Sequence, residues 1–449
     1  MDRAAMLNYV KKYGSLIAFL AIEVLLFVAL NLANYGIIYR YLGFFLALAL
    51  LPFPLLVNKQ NDWLDFIGLV APLFVFGLFM VLSPLYRLLE DALGNIAIVL
   101  GLISFVTMGY SLSKNPDFKI EKALLALFIG LAVLLGISFL ITMYRYAPFY
   151  VLNYADKVIY YDGEVYYLAE EAKWLYAFSI KEVNLDHFGL YSVVAASALG
   201  GLLFVPRKTK TQEYLPWLLV GVLGVLTIAL LPNLNVIKYL LVPLALVAII
   251  RFYPRKPLAL KILKIVLYVL GGIAFVAVIL FVMKAFGGGA IQTFFANNAI
   301  LNKIYNNSRV YSFTYVLGQS IEYPFGGLYD IYNSSVSIVE TTNSFVFDAL
   351  YQGGFFAFFG ILGFLLVSIL SLVRYYKESK DSPVVKGLII SFVTAYFFYS
   401  AFNYQYVQMV HEHDLVYKSP FASDLLLLLA VFLIGYTFTP KKAQPIVAK

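Results

Sequence analysis

The sequence contains no cysteine and little charge. Without cysteine, the chain can form neither a disulfide nor a thiolate-ligated metal site. Only 13% of its residues are charged and 62% are hydrophobic, whereas soluble domains carry about 25% charged residues. A soluble domain could not bury that much apolar surface. The composition therefore excludes an ordinary soluble enzyme and indicates a membrane protein.

Long apolar runs recur along the whole chain. A bilayer core of about 30 Å needs roughly 20 apolar residues in a helix. We predict an all-α integral membrane protein, a single polytopic domain over residues 1–449, with about 12 transmembrane helices. The first apolar run lacks a small-residue cleavage site, so we expect a retained span rather than a signal peptide. The predicted spans are residues 14–31, 38–57, 64–83, 95–112, 123–144, 187–205, 215–231, 236–251, 262–285, 345–372, 386–402 and 423–438.

The net charge of +8 is distributed as a topology signal rather than as a nucleic-acid-binding surface. Short loops rich in Lys and Arg alternate regularly with loops that are poor in them. With both termini in the cytoplasm, most basic residues fall on the cytoplasmic side, as the positive-inside rule requires. We therefore expect a multi-pass protein of the cytoplasmic membrane. Anionic lipid headgroups are the natural neighbours of its basic loops, and we expect no nucleic-acid partner.

The first large outer segment comprises residues 145–186 and is rich in aromatic residues. Asp162 and Gly163 lie between β-prone runs, a pattern that predicts a tight hairpin. The run 170–180 that follows is amphipathic and predicts a short helix at the membrane interface. Its tyrosines and tryptophan could stack on sugar rings, or they could form an aromatic belt at the headgroups.

The main outer loop, residues 286–344, lies directly before the tenth span and holds the most distinctive residues. We predict one or two amphipathic helices in it, interrupted by the polar run 306–308. Arg309 follows that interruption, and a PFGG turn follows at 324–327. The sequence TTNSFVFDALYQGG, which contains Asn343, then opens the next span. We expect the active site in this loop.

These residues resemble the O-antigen ligase and polymerase superfamily. The shared features are an Arg in an amphipathic loop helix, a Pro-x-Gly-Gly turn, and an Asn-Ser-Phe motif followed by Leu and Gly at the start of a long span. The twelve-span layout with a large outer loop before helix 10 is similar too. Within the superfamily, the chain is most like the Wzy-type polysaccharide repeat-unit polymerases of lipopolysaccharide and capsule biosynthesis.

The resemblance implies a glycosyltransferase at the outer face of the bacterial cytoplasmic membrane. Such a polymerase joins oligosaccharide repeat units that are linked to a polyprenyl pyrophosphate such as undecaprenyl pyrophosphate. The sugar–pyrophosphate bond supplies the energy, so the family needs no nucleotide, and we expect no cofactor and no metal. The implied partners are the lipid-linked oligosaccharide and membrane lipid. A chain-length regulator is a further candidate partner, because such polymerases often work beside one.

Candidate site residues follow from the charge that this reaction develops. The departing pyrophosphate gains negative charge, which a guanidinium can hold bidentately. Arg309 is therefore the first catalytic candidate, and Lys238 is a candidate second cation. The attacking sugar hydroxyl needs a base, and we favour Glu340 over Asp348 and His411 for that role. The predicted substrate-binding residues are Lys238, Tyr323, Thr342, Asn343, Asp348 and His411.

Each of these assignments has a plainer alternative. Arg309 could form a structural ion pair with Glu322 or Glu340. Asn343 could be only the N-cap of the tenth span, since Asn is favoured at that position. Glu340 could be a solvated loop carboxylate, and Lys238 could simply extend to the membrane surface.

Two other functions compete most directly with the polymerase, and a different polyprenyl-sugar transferase and a non-catalytic membrane scaffold are further alternatives. The first is an O-antigen-type ligase, which passes a finished glycan to a different acceptor. Ligases of the superfamily have a His directly before the motif Asn, and Thr342 stands there in this sequence, which weighs against a ligase. The second is a flippase or transporter of lipid-linked oligosaccharide, in which Glu23, Lys238 and Lys284 would be substrate or coupling charges.

Overall fold

Helices account for most of the chain that the computed structural model describes. The described residues are 63–82, 89–114, 118–130, 132–133, 136, 158–161, 164–167, 179–180, 183–184, 188–206, 209–229, 237–252, 257–305, 308–326, 344–403 and 421–438. Thirteen helices and two short β-hairpins lie within these ranges. Four of the helices are long and apolar enough to cross a membrane, which indicates a multi-pass membrane protein.

Elements are numbered here in chain order. The helices are α1 (Trp63–Leu82), α2 (Leu89–Lys114), α3 (120–130), α4 (Phe188–Leu202), α5 (Thr211–Ala229), α6 (Ile237–Arg251), α7 (Pro257–Phe286), α8 (Gly289–Asn297), α9 (Ala299–Tyr305), α10 (Ser308–Gln319), α11 (Phe345–Glu378), α12 (Pro383–Asn403) and α13 (Phe421–Phe438). The strands are β1 (Val158–Tyr161), β2 (Glu164–Tyr167), β3 (Ser179–Ile180) and β4 (Val183–Asn184).

A helix occurs at every predicted span that falls on described residues. The four helices that could cross a membrane on length and composition are α1, α7, α11 and α12. Shorter apolar helices lie in α4, α5 and α13. The predicted spans 14–31 and 38–57 lie outside the described residues, as does most of 131–144 in the fifth span.

The two hairpins lie in the first outer segment. Strands β1 and β2 pair antiparallel with Tyr161 opposite Glu164, so two residues connect them and the predicted hairpin is confirmed. Strands β3 and β4 pair Ile180 with Val183. The helix predicted over 170–180 is therefore wrong at its end, because these β-branched side chains favour a strand there. Apart from these hairpins, the described residues agree with the all-α prediction.

Glycines allow the closest helix crossings in the bundle. A methyl group on Gly109 of α2 would overlap the carbonyl oxygen of Phe432, and one on Gly435 of α13 would overlap that of Val106. The two backbones therefore meet at a reciprocal pair of glycines. Small residues at crossings are typical of membrane bundles, where association depends on close packing rather than on the hydrophobic effect. Gly360 likewise brings α11 against the backbone of α1 at Phe76.

We expect Gly109→Ala to destabilise the bundle by about 1–3 kcal/mol, because the new methyl group forces α2 and α13 apart. Gly271→Ala is the matched control, since no atom lies within 4 Å of the position that its methyl group would take. Alanine there should be neutral or stabilising, by up to about 1 kcal/mol, through helix propensity. Thermal unfolding of the two purified variants in detergent makes the comparison. Equal losses in both variants would contradict the role given to the crossing.

The carboxylate of Asp381 links helices at the C-terminal end of α11. Tyr375 donates a 2.6 Å hydrogen bond to Oδ2 of Asp381, and Tyr436 donates a 3.2 Å hydrogen bond to the same oxygen. The Asp381 amide donates to Oγ of Ser379, which holds the turn between α11 and α12. Lys386 completes the turn by donating to the carbonyl oxygens of Ser379 and Tyr376. Asp381 thereby joins α11, α12 and α13 at one point.

Asp381→Ala should cost about 1–3 kcal/mol, because it leaves two buried tyrosine hydroxyls without their acceptor. Adding Tyr375→Phe and Tyr436→Phe should recover part of that loss, since no hydroxyl then remains to satisfy. The control is Glu378→Ala, which removes a half-exposed ion pair with Arg374 that is worth about 0–1 kcal/mol. Chemical denaturation in mixed micelles measures all three. The assignment fails if the triple variant is less stable than Asp381→Ala alone.

Candidate functional site

Helix α10, which carries Arg309, bridges the adjoining ends of two helices that could cross a membrane. These are the end of α7 and the start of α11, which we call the outer end of the bundle after the topology predicted from the sequence. At its C-terminal end, α10 approaches α7 so closely that a methyl group on Gly318 would lie 2.6 Å from the carbonyl oxygen of Ala285. On its other side, Phe313 stacks on Phe347 of α11, with ring centroids 4.4 Å apart. Phe281 of α7 contacts the same ring at 5.9 Å.

The described part of the main outer loop contains three helices, α8, α9 and α10, where one or two were predicted. The extra break falls at Asn298, which ends α8 in an extended conformation. Its side-chain Oδ1 accepts hydrogen bonds from the amides of Ile300 and Leu301, so it caps α9. Asn is strongly favoured as an N-cap for this reason. Helix α10 begins at Ser308, at the end of the polar run where the interruption was predicted.

The PFGG turn packs against a break inside α11. Gly354 interrupts the helix with φ 70° and ψ −164°, and Gly326 in the turn has φ 87°. Instead of continuing the helical ladder, the amide of Phe355 donates a 2.9 Å hydrogen bond to the carbonyl oxygen of Pro324. A methyl group on Gly354 would overlap that same oxygen, and one on Gly326 would overlap the carbonyl oxygen of Gln352. Both positions therefore require glycine, for conformation and for space.

The length of α11 indicates where this contact lies relative to the membrane. The element has 34 residues and is divided by the break at Gly354, so only the stretch after the break is a continuous helix. About 30 Å separates Gly354 from Arg374, the first charged residue toward the inner end. In a bilayer that has Arg374 at one boundary of its hydrocarbon core, the Gly354 break would lie at the other boundary. Phe325 of the turn stacks on Phe356 just below it, with centroids 5.7 Å apart.

Three of the predicted site residues lie in this one unit of helix, turn and helix. Arg309 is in the first turn of α10. Tyr323 is half-buried in the turn, where it packs against the cluster formed by Val316, Leu350 and Tyr351. Asp348 is buried in the first turn of α11. A carboxylate in a first helical turn is favourably placed in the field of the helix dipole.

Lys238 lies elsewhere in the bundle. It is in the first turn of α6, which packs on α4 and α12. Its ammonium is exposed and lies 4.8 Å from the centroid of the Tyr239 ring. That ring contacts Tyr399 of α12. The structure does not group Lys238 with Arg309, and its role as a second cation stays a prediction.

Four predicted site residues, Glu340, Thr342, Asn343 and His411, lie outside the described residues, and their roles stay predictions. The plainer alternative, in which Asn343 is the N-cap of the tenth span, is wrong, because the N-cap of α11 is Ser344. Ser344 is extended, and its Oγ accepts a 3.4 Å hydrogen bond from the amide of Phe347.

An ion pair between Arg309 and Glu322 would have to span the length of α10, and it stays a prediction. Arg309 is in the first turn of α10, and Glu322 follows the last turn. The 12 residues of α10 place these ends about 18 Å apart.

Sequence reasoning missed the elbow between α7 and α8. Lys284 donates to Oε1 of Gln292, and the amide nitrogen of Gln292 donates back to the carbonyl oxygens of Lys284 and Gly287. Gln292 thus supplies a donor to the backbone carbonyls at the end of α7. This role depends on a contact across the run Gly287–Gly289, which a local sequence pattern does not show. In the described part of the chain, no group of three or more His, Asp or Glu side chains could hold a metal ion.

No protein-family model matches the chain, and no curated protein sequence matches it. The functional proposal therefore depends on the residues themselves. Their arrangement places the helix that carries Arg309 between the ends of two helices that could cross a membrane.

Gly326→Ala should detach the PFGG turn from α11, because the methyl group adds both a clash and a conformational penalty of roughly 1–2 kcal/mol. Hydrogen exchange followed by mass spectrometry should then show faster exchange of the Phe355 amide. Gly363→Ala in the same helix is the control, since the nearest atom to its methyl group would be Cβ of Pro72 at an ordinary 3.5 Å. Unchanged exchange at Phe355 in Gly326→Ala would show that the contact is dispensable.

Proposed function

We propose that this protein is a glycan polymerase of the Wzy type. It joins polyprenyl-pyrophosphate-linked oligosaccharide repeat units at the outer face of the bacterial cytoplasmic membrane, as a protein of about 12 spans with both termini in the cytoplasm. The observation that supports this function most is the position of α10. The helix that carries Arg309 is braced against α7 and α11, beside a contact at the outer hydrocarbon boundary.

The proposed position of α10, beside the outer boundary of the hydrocarbon, suits a lipid-linked substrate. A polyprenyl chain lies in the hydrocarbon, its pyrophosphate lies at the headgroups, and its glycan lies outside. A basic residue near the outer boundary meets the pyrophosphate, while the apolar surfaces of α7 and α11 meet the polyprenyl chain. None of the described residues in the apolar stretch Lys264–Phe286 of α7 is buried, so that surface is open to lipid.

The proposed step exchanges one glycosidic bond for another. A hydroxyl of the incoming lipid-linked unit attacks the anomeric carbon of the growing chain, and the bond from that carbon to the pyrophosphate breaks. The bonding electrons leave with the pyrophosphate, whose added charge Arg309 stabilises. The proton of the attacking hydroxyl passes to a carboxylate, for which we propose Glu340. Asp348 is the alternative base, because it lies in the same unit of α10, the PFGG turn and α11.

The substrate contacts complete the proposal. Tyr323 lies in the turn beside α10 and is partly exposed, so its ring and hydroxyl can contact a sugar. Thr342 and Asn343 directly precede the α11 N-cap and can position sugar or phosphate. Lys238 and His411 are proposed as outer contacts to the glycan or its phosphate.

Arg309→Ala should abolish glycan polymerisation in the host while the protein still inserts in the membrane. Arg309→Lys should retain only part of the activity, since an ammonium cannot make the bidentate contact. Lys377→Ala, an exposed cation at the inner end of α11, is the control and should leave chain length unchanged. Chain lengths are compared on gels at matched expression. Normal chain lengths in Arg309→Ala would refute the proposed role.

A further inference from the structure

Helices α8 and α9 expose large apolar side chains. Phe294 is 52% exposed, Ile300 is 72% exposed and Ile304 is 49% exposed. Ile300 and Ile304 are four residues apart, so they share one face of α9. By contrast, Phe295 is buried against the rest of the protein. A loop surrounded by water would expose this apolar face at a cost, and a contiguous exposed patch marks a contact surface.

This face continues the lipid-facing surface of the spans on both sides. Before α8, Phe286 is exposed at the end of α7. After α10, Ile321 and Phe325 are exposed, and Phe325 stacks on the exposed ring of Phe356 in α11. The apolar edge thus begins on one membrane-spanning helix and ends on another. Phe286 ends the candidate span of α7 and Phe356 lies within that of α11, so lipid would cover both ends of this edge when these spans cross the bilayer.

Charge along the segment also suits lipid headgroups. Between residues 285 and 321 the sequence has only two charged side chains, Lys303 and Arg309, and no Asp or Glu. Lys303 is exposed beside Ile304, so its long stem can follow the apolar face while its ammonium reaches the phosphates. Amphipathic helices with this arrangement lie in the plane of the membrane interface.

We infer that α8 and α9 form an interfacial anchor, with Phe294, Ile300 and Ile304 inserted among the acyl chains of the outer leaflet. The partner of this surface is the lipid bilayer itself, and Lys303 marks the level of the headgroup phosphates. The anchor holds the start of α10 at the same level, because only residues 306 and 307 separate α9 from α10. This inference is independent of the glycan polymerase proposal, since it requires no glycan and no catalysis.

The absence of cysteine allows a direct test without background labelling. Single-cysteine variants Ile300→Cys and Ile304→Cys are labelled with a nitroxide and reconstituted into vesicles of phosphatidylethanolamine and phosphatidylglycerol. Lys303→Cys, on the same helix, is the matched control. Power saturation compares collisions with oxygen, which concentrates in acyl chains, and with a water-soluble nickel chelate.

The anchor predicts severalfold more oxygen collisions than nickel collisions at positions 300 and 304, and a lower ratio of oxygen to nickel collisions at position 303, where the native side chain is charged. Phe294→Cys should behave like positions 300 and 304, so the test survives if one variant fails to fold. Equal access of nickel to all positions would overturn the inference by showing that the face is in water. Protection of positions 300 and 304 from both reagents would also overturn it, because protein rather than lipid would then cover the face.

Discussion

The contact between the PFGG turn and the break in α11 gives the backbone amide of Phe355 a hydrogen-bond acceptor. Without that contact the amide would have no partner at the break. At Gly354 the helical ladder stops, and the amide of Phe355 loses its usual partner. An unpaired amide near hydrocarbon costs several kcal/mol. The carbonyl oxygen of Pro324 supplies the missing acceptor, and Gly326 allows the approach. The break and the turn therefore stabilise each other, and the outer helix α10 is held in place as a consequence.

The rest of the bundle makes that outer contact rigid. The crossing at Gly109 and Gly435 packs α2 closely against α13, and Gly360 packs α11 against α1. At the other end of α11, Asp381 in the turn before α12 links α11 to α13 by accepting hydrogen bonds from Tyr375 and Tyr436. Helix α11 is thus fixed at both ends, with its break at the outer boundary. A braced support of this kind suits a site that must hold a pyrophosphate in one position while sugars are exchanged.

Hydropathy predicted a helix at each span that falls on described residues, and four of these helices are long and apolar enough to cross a membrane. The Asp-Gly pair predicted the hairpin because it favours a tight turn. Hydropathy did not predict the break at Gly354, since two adjacent glycines inside an apolar run fit a straight helix equally well. The break depends on Pro324, 30 positions earlier in the chain. The partners of Asp381 and the elbow at Gln292 were missed for the same reason. Among the site residues, local pattern placed Arg309 on its helix but could not distinguish Ser344 from Asn343 as the cap.

Reconstitution is the most direct test of whether the proposed site joins lipid-linked glycan units. Purified protein in liposomes is given a polyprenyl-pyrophosphate-linked repeat unit from the host, with chelator and without nucleotide, and the products are separated on a gel. We predict a ladder of repeats. A single shifted band that requires a different acceptor would indicate a ligase. Transfer of the intact lipid-linked unit across the membrane without any ladder would contradict the account and indicate a flippase.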